Sequence, residues 1–440
     1  MQENEEGLKR EIGVWGLSAN MINSMIGAGI FVLPAVVATG LGSASIIAYL
    51  FCGLLITLVM FCFAEVGSRI TATGGAYIYI ESTFGKYAGF ITAILYLLSS
   101  IAGDAAVANA VADIISSLFP FFRGMVFNTV FFTFLFIGLA YINVVGVKKG
   151  LGFVKIITLM KIVPLLVIIF IGFKDVSVHN LYWQSVPTVK QVGEMSLVLF
   201  FAFMGAEAGL SVSGEVRKPN KTIPHALRLS IMAVLAIYIL VQTVSQGILG
   251  ASLSIFKENP LAEVANHIFG PVGFTLITIG AAVSMFGMLS SQILNAPRIL
   301  YAASADKVIP VKTMALVHPK YATPYVSIIV YAGLDLAFAL AGGFKQLAII
   351  ASAAGLLIYL GVTLATIKMR ITGYSGPQKD FFRIRGGYAV PVLASLVILW
   401  FLSNMSNNEL KGLGLFIIII SAIYLSINPK LVKHLLKKVN

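Results

Sequence analysis

Long apolar segments recur along the whole 440-residue chain, and they restrict the possible folds more than any other feature of the sequence. A helix of about 20 apolar residues crosses the ~30 Å hydrocarbon core of a bilayer. In that core every backbone polar group needs a partner within the protein, so only helices and closed barrels can cross it. The short alternating segments typical of a membrane β-barrel are missing from the sequence. The sequence therefore predicts an all-α membrane protein.

The charges agree with this prediction and indicate an orientation. Only 11% of the residues are charged and 58% are hydrophobic, too few polar groups to cover a soluble protein of this size. Most of the 31 lysines and arginines fall in loops on one side if the spans alternate with the N-terminus inside. We therefore expect both termini in the cytoplasm and a multi-pass location in the plasma (inner) membrane. The net charge of +13 follows from this bias, so the expected partner is the lipid bilayer and not a nucleic acid.

Twelve spans are predicted, and no linker divides them into separate domains. They cover residues 14–39, 43–68, 88–118, 125–145, 153–173, 193–214, 226–250, 271–303, 324–341, 344–367, 389–405 and 410–427. The N-terminal segment mixes basic residues with four glutamates, so the first apolar segment is expected to stay as a span and not to be cleaved. Between spans 7 and 8, the amphipathic run Leu261–Phe269 predicts a short helix that lies on the surface.

Catalytic and metal chemistry find no support in the sequence. The five histidines lie in or near predicted loops without the spacing of a metal site. No Ser/His/Asp set and no phosphate-binding loop lies at membrane depth. We therefore expect no metal, no cofactor and no enzymatic activity.

Glycines interrupt two of the predicted spans near mid-depth. Span 1 contains Gly27 and Gly29, and span 6 contains Gly205, Glu207 and Gly209. Each glycine costs about 1 kcal/mol in a helix interior relative to alanine, and a glutamate at this depth is also costly. Close packing through small residues explains either interruption alone. Together they favour a pair of broken helices over simple packing, because these are the first spans of two sets of five.

The pairing predicts an inverted repeat. Residues 14–173 are expected to form the first repeat and 193–367 the second, followed by two additional helices in 389–427. Interrupted helices at such a repeat interface form the central site of many secondary transporters. Backbone N–H groups after Gly27 suit a carboxylate, and carbonyls around Ser24–Ile26 and Phe201–Phe203 suit an ammonium group. A site with both groups fits an α-amino acid.

Several motifs resemble those of the amino acid–polyamine–organocation superfamily, whose members have the leucine-transporter fold. The run Gly27–Phe31 is similar to its first-span Gly-Ser/Ala-Gly-Ile/Val-Phe motif, and Phe203–Glu207 resembles its Phe-x-Gly-x-Glu motif. The loop from Glu215 to Pro224, the exit of span 8 from Arg298 to Pro310, and Gly74–Tyr77 add further similarity. The resemblance covers nearly the whole chain and includes the arginine/agmatine and polyamine antiporters.

This resemblance implies roles for particular residues. Gly27, Ala28, Gly29 and Ile30 would hold the substrate carboxylate, and Phe201 would occupy a gating position where some antiporters have tryptophan. Glu207 would act as a gate or coupling carboxylate. Asp104 and Gln292 fall where the arginine/agmatine antiporter has asparagine and tryptophan, which argues against arginine-type selectivity. The full set of expected substrate-site residues is Ser24, Met25, Ile26, Gly27, Ala28, Gly29, Ile30, Phe201, Ala202, Phe203, Gly205, Glu207 and Gln292, with Asp104 as a further candidate.

Lys161 lies about eight residues into span 5, and two interpretations are open. Its ammonium either snorkels to the cytoplasmic interface or replaces the sodium ion of sodium-driven relatives, as the resemblance implies. In the second case it is able to release a proton during the cycle, so protons are candidate partners.

The sequence thus favours a sodium-independent carrier of amino acids that works by alternating access, by proton symport or by exchange. A cationic amino acid or polyamine antiporter and a nutrient sensor without transport remain alternatives. Either a monomer or a homodimer is compatible with the sequence.

Overall fold

A computed structural model describes residues 12–70, 75–145, 151–207, 210, 216–305, 311–373 and 381–427, with the backbone alone for 151–160. Parts of three predicted features lie outside the described residues: the end of span 6 after Glu207, the loop before Val216, and the exit of span 8 after Ala305. Both chain termini and the side chain of Lys155 also lie outside them.

The described chain is helical throughout. Its sixteen α-helices are α1 (Val14–Met25), α2 (Gly29–Leu41), α3 (Ile46–Arg69), α4 (Ala76–Phe84), α5 (Lys86–Leu118), α6 (Met125–Val145), α7 (Leu151–Gly172), α8 (Val189–Leu199), α9 (Pro219–Leu249), α10 (Pro260–Phe269), α11 (Pro271–Asn295), α12 (Pro297–Ala305), α13 (Tyr325–Ala341), α14 (Phe344–Ile371), α15 (Ala389–Ser403) and α16 (Asn407–Ile427). Within the described ranges, the one β pairing is an isolated bridge between Ile12 and Val216. Seven helical stretches are long and apolar enough to cross a membrane, and α13 and α15 are shorter apolar helices. The all-α membrane class predicted from the sequence is confirmed.

Proline explains where the helices depart from the predicted spans. The helix α9 begins at Pro219, seven residues before the predicted start of span 7 at 226, because proline fits the first helical turn. Predicted span 8 is divided at Ala296 into α11 and α12, because Pro297 has no N–H to donate to the helix, although Ala296 itself keeps helical backbone angles.

The start of α8 shows a local signal that the hydrophobic pattern misses. Thr188 and Gln191 form a capping box, in which each side chain pairs with the backbone N–H of the other residue. The helix consequently begins at Val189, whereas the predicted span began at 193. Its polar first turn contains Lys190 and Gln191, which is why apolar content alone placed the boundary too late.

The predicted short helix after α9 is present as α10, with one face buried and with His267 and Phe269 exposed. In α10 the side chains of Leu261, Ala262, Val264 and Ala265 are buried. They pack toward α2, α7, α9 and α11. The amphipathic pattern marks a helix with one buried face, and the sequence could not tell whether protein or lipid headgroups cover that face.

Helix packing brings the two predicted interruptions together. The helix α1 packs against α9, and α2 packs against α8 and α10. The long helix α5 lies behind them and contacts α11, α13 and α14. The segment between α1 and α2 therefore lies beside the segment that follows α8.

A buried ion cluster joins the ends of α3 and α14 to the segment after α14. Glu65 accepts hydrogen bonds from Arg69 at 2.6 Å and from the backbone N–H of Ile384 at 2.9 Å. Arg370 donates to both oxygens of Glu65 and to the carbonyl of Gly387. The side chains of Glu65 and Arg370 are each 1% exposed. One carboxylate thus holds two helix ends and a connecting segment.

We expect Glu65→Gln to lower the apparent melting temperature in detergent strongly. The variant leaves two buried guanidinium groups without a carboxylate, and breaking a buried pair costs about 3–5 kcal/mol. Glu194→Gln is the matched control, because Glu194 forms a solvent-exposed pair with Lys190 at 3.8 Å. Such exposed pairs contribute about 0.2–1 kcal/mol. Equal shifts for the two variants would contradict the role of the cluster.

Candidate functional site

The first interruption spans residues 26–28, between α1 and α2. Ending a helix in a membrane leaves its last carbonyls without intrahelical partners, and here most of them find new ones. The carbonyl of Ile22 accepts from the N–H of Ile26 at 2.9 Å. The carbonyl of Asn23 accepts from Lys161, and that of Met25 from Tyr238. Among the described residues, no hydrogen-bond donor reaches the carbonyl of Ser24.

The other side of this interruption exposes donors. The helix α2 starts at Gly29, and its N-cap residue Ala28 has no side chain able to cap it. The first bond of α2 runs from the N–H of Phe31 to the carbonyl of Ala28 at 3.0 Å. Within the described ranges, the N–H groups of residues 27–30 have no acceptor. They form a short row of donors at the positive end of a helix dipole, which favours an anion.

The second interruption follows α8. The helix tightens into a 3₁₀ turn, Phe200–Phe203, and then leaves the helical path at Met204. Gly205 has a φ of 110°, a conformation that residues with a side chain rarely adopt. Glycine is thus required here by the backbone itself, and the path of the chain turns at this residue.

The two interruptions touch each other. A Cβ atom added to Gly205 would lie 2.7 Å from the carbonyl oxygen of Ser24, and one added to Gly29 would lie 2.7 Å from Cβ of Ala202. Only glycine allows backbones to approach this closely. Neither Gly27 nor Gly29 has a positive φ, so Gly29 serves close approach and not an unusual turn.

Tyr238 of α9 links the two interruptions. Its hydroxyl lies 3.0 Å from the carbonyl oxygen of Met25 and 2.9 Å from that of Ala202, and it shares its proton between them. The side chain is fully buried, and its ring packs edge-on against Phe203. Sequence analysis missed this residue. The feature that could have identified it is its position within an apolar span, where a tyrosine hydroxyl needs a hydrogen-bond acceptor.

Glu207 is used mainly to hold the second interruption. One of its oxygens accepts from the N–H of Gly205 at 3.0 Å and from the hydroxyl of Tyr359 at 2.5 Å. Tyr359 belongs to α14 and packs edge-on against Phe63 and Phe200. The side chain of Glu207 is partly exposed, and its second oxygen has no hydrogen bond within the described ranges.

Phe201 packs against Phe344, which lines a cavity. Its ring meets that of Phe344 edge-on with the centroids 6.0 Å apart, and on another side it faces Gly103. Phe344 also lines a cavity of about 600 Å³ at the ends of α2, α5 and α14. The cavity is lined by Val32, Val36, Thr39, Asp113, Lys257, Gly343, Phe344, Lys345, Gln346, Ile349 and Glu409.

Lys161 points into the protein. Its side chain is 4% exposed, and its ammonium lies 3.4 Å from the carbonyl oxygen of Asn23, just before the first interruption. No carboxylate pairs with it among the residues that the structure describes. It joins α7 to the end of α1 and does not reach solvent as a snorkelling lysine would.

The remaining expected site residues contribute little or lie apart. Met25, Ile26 and Phe203 have buried side chains, so only their backbones face the interruptions. The carboxyl group of Asp104 turns toward α13, where it accepts from the hydroxyl of Tyr331 at 2.8 Å. Gln292 lies one helical turn beyond Met288, the residue of α11 that contacts Gly27, and its side chain forms no hydrogen bond within the described ranges.

Known proteins resemble the chain over nearly its whole length. The family model described as "Amino acid permease" matches residues 12–427. A serine/threonine exchanger of Bacillus subtilis is 30% identical over 74% of this chain and 76% of its own length. A methylthioribose transporter of Bacillus subtilis is 27% identical, with 92% and 90% covered. An arginine/ornithine antiporter of Pseudomonas aeruginosa is 29% identical, with 70% and 66% covered.

We expect Gly29→Ala to lower the apparent melting temperature and Gly27→Ala to leave it nearly unchanged. The new methyl group at 29 would meet Cα and Cβ of Ala202, whereas at 27 it would meet only the flexible end of Met288. Overpacking a rigid contact costs about 1–3 kcal/mol. Thermal unfolding of both variants in detergent without ligand is the measurement. A larger shift for Gly27→Ala would contradict the close approach of the two interruptions at Gly29.

Proposed function

Because the chain belongs to the amino acid permease family, we propose that it is a secondary transporter of neutral α-amino acids. The substrate binds where the two interrupted helices meet. The names of the relatives include a serine/threonine exchanger, a methylthioribose transporter and an arginine/ornithine antiporter, so they leave the substrate open. We therefore infer the substrate class from the chemistry of the site.

The observation that carries the proposal is the set of unpaired backbone groups at the contact between the interruptions. The N–H groups of residues 27–30 form a donor row for a carboxylate. The carbonyl of Ser24, beside Gly205, is an acceptor for an ammonium group. In a site without bulk water, unpaired groups of this kind are costly until a ligand pairs with them. A zwitterionic α-amino group and carboxylate supply both partners on one carbon atom.

The two acids near the site favour a neutral side chain over a cationic one. One oxygen of Glu207 accepts hydrogen bonds from Gly205 and Tyr359. Asp104 accepts from Tyr331, and 1% of its surface is exposed. A cationic substrate needs a carboxylate that is free to pair with it deep in the membrane. A cationic side chain that pairs with the second oxygen of Glu207 would compete with Gly205 and Tyr359 for the charge of one carboxylate, and Asp104 is turned away from the site.

Alternating access follows from what lies on each side of the site. The Phe201–Phe344 contact separates the substrate from the 600 Å³ cavity and acts as one gate. On the opposite side, the N–H of Arg217 donates to the carbonyl of Ile12 at 2.9 Å and closes the second path. The proposed arrangement is twelve spans with both termini in the cytoplasm. Residues 14–173 and 193–367 form the inverted repeats, and 389–427 forms two added spans.

Lys161 supports transport that does not depend on sodium. Its ammonium already places a positive charge on the carbonyl of Asn23, at the end of a broken helix where a cation is favoured. This charge fixes the first half-helix in either exchange or proton symport. Lys161 is therefore proposed as a positioning residue for the substrate site.

The first test is ligand binding to the purified protein. Serine or another neutral α-amino acid should raise the melting temperature. Ethanolamine, which lacks the carboxylate, should bind about 10- to 100-fold more weakly, because unpaired buried donors cost about 1–3 kcal/mol. Ornithine, putrescine and methylthioribose form the comparison panel. Tighter binding of an amine than of every amino acid would overturn the proposed substrate class.

The second test is flux in proteoliposomes. Wild-type uptake should be equal in sodium and choline buffers, and Lys161→Ala should reduce it by at least ~10-fold, equivalent to ~1.4 kcal/mol. Lys174→Ala is the matched control, since Lys174 is exposed at the far end of the same span. Binding without flux in the wild type would favour a nutrient sensor. Normal flux in Lys161→Ala would remove the positioning role.

A further inference from the structure

Two aspartates face each other in the middle of the protein, outside the substrate site. Asp104 lies midway along α5, and Asp335 lies midway along α13. Asp104 is 1% exposed and Asp335 is 0% exposed. Tyr331, one turn before Asp335, donates to Asp104, and Asn109 of α5 donates at 3.1 Å to the carbonyl of Ala339, one turn after Asp335. These contacts on both sides of Asp335 hold α5 and α13 together and bring the two carboxyl groups near each other.

The pair has one hydrogen-bond donor for four carboxyl oxygens. The hydroxyl of Tyr331 donates to one oxygen of Asp104 at 2.8 Å. The second oxygen of Asp104 and both oxygens of Asp335 have no partner among the described residues. A fully buried, unpartnered carboxyl group directed at a second one is unstable when both are ionised, because their charges repel in a medium of low dielectric. Something positive has to bind between them.

We propose that Asp104 and Asp335 form a proton-binding site between α5 and α13, which holds one proton and exchanges it during transport. The bound proton forms an O–H bond to one carboxyl oxygen and a hydrogen bond to the other, and the water that delivered it leaves. A metal cation fits less well, since ion sites in such proteins use carbonyls of unwound helices. Here both helices are continuous, so their carbonyls are used internally.

Tyr96 gives the pair a connection to the substrate site. It lies two turns before Asp104 on α5, is partly exposed, and interacts electrostatically with both Asp104 and Glu207. Tyr331 and Tyr96 also interact with each other. Apart from these tyrosines and the two aspartates, no titratable group of α6, α11 or α12 acts on the pair within the described ranges.

Infrared difference spectroscopy between acidic and alkaline buffer tests the site without any substrate. A protonated carboxylic acid has a C=O stretch that a carboxylate lacks. The wild type should show such a band at about pH 7, where exposed carboxyl groups are already ionised, and should lose it on alkaline titration, and Asp335→Asn should remove it. Asp113→Asn is the control on the same helix, where the aspartate is exposed, and Glu207→Gln identifies any signal from Glu207. A band whose intensity does not change with pH, or that is still present in Asp335→Asn, would overturn the proposal.

A second measurement tests exchange during transport, the part that rests on the proposed function. Uptake by the wild type should depend on pH, and Asp335→Asn should abolish that dependence, with Asp335→Glu restoring it. An unchanged pH profile in Asp335→Asn would overturn the exchange step. If Asp335→Asn does not fold, Asp104→Asn serves in both assays with the same expected results. A wild type that has the titrating band but carries no amino acid would refute the transport function and leave the proton site intact.

Discussion

The absence of water in the hydrocarbon core is the constraint on which the rest of this structure depends. A helix that stops in mid-membrane leaves carbonyls and N–H groups that nothing outside the protein can satisfy. The chain meets this demand with one ammonium, one tyrosine hydroxyl and one backbone turn at the end of α1. Among the described residues, donors at the start of α2 and the carbonyl of Ser24 stay unpaired. In the proposed function, the substrate pairs with those groups.

Small residues then determine how the unpaired groups face one another. The backbones meet at Gly29 with Ala202 and at Ser24 with Gly205, where a larger side chain would force them apart. Because the contact is made by backbone atoms, its geometry is set by the packing of α1, α2, α8 and α9 and not by side-chain rotamers. Movement of one broken helix relative to the other changes the site directly. This property suits a protein that has to expose the same site to two sides in turn.

Buried charge has three different uses in the molecule. Glu65 with Arg69 and Arg370 fixes the ends of α3 and α14, where carboxylate and guanidinium groups balance each other. Within the described part of the chain, Lys161 is paired only with a helix-end carbonyl, so its charge acts on the first interruption. Among the same residues, Asp104 and Asp335 have no cationic partner and a single hydrogen-bond donor. The fewer partners a buried charge has, the more its state depends on an added ligand or proton, and the stronger its case for a functional role.

The sequence by itself determined the class of protein and most helix bounds, because apolar length and proline positions act locally. Predicted span 4 and the observed helix have the same bounds, 125–145. The glycines of spans 1 and 6 indicated where the helices break. Local patterns also predicted α10, but they could not identify the helices that cover its apolar face, since this depends on the packing of the whole chain. The sequence could not predict three contacts: that of Asp104 with Tyr331, that of Asp104 with Asp335, and the link that Tyr238 makes between the interruptions. Each joins residues more than thirty positions apart, and only the packing of whole helices decides which hydroxyl meets which acceptor.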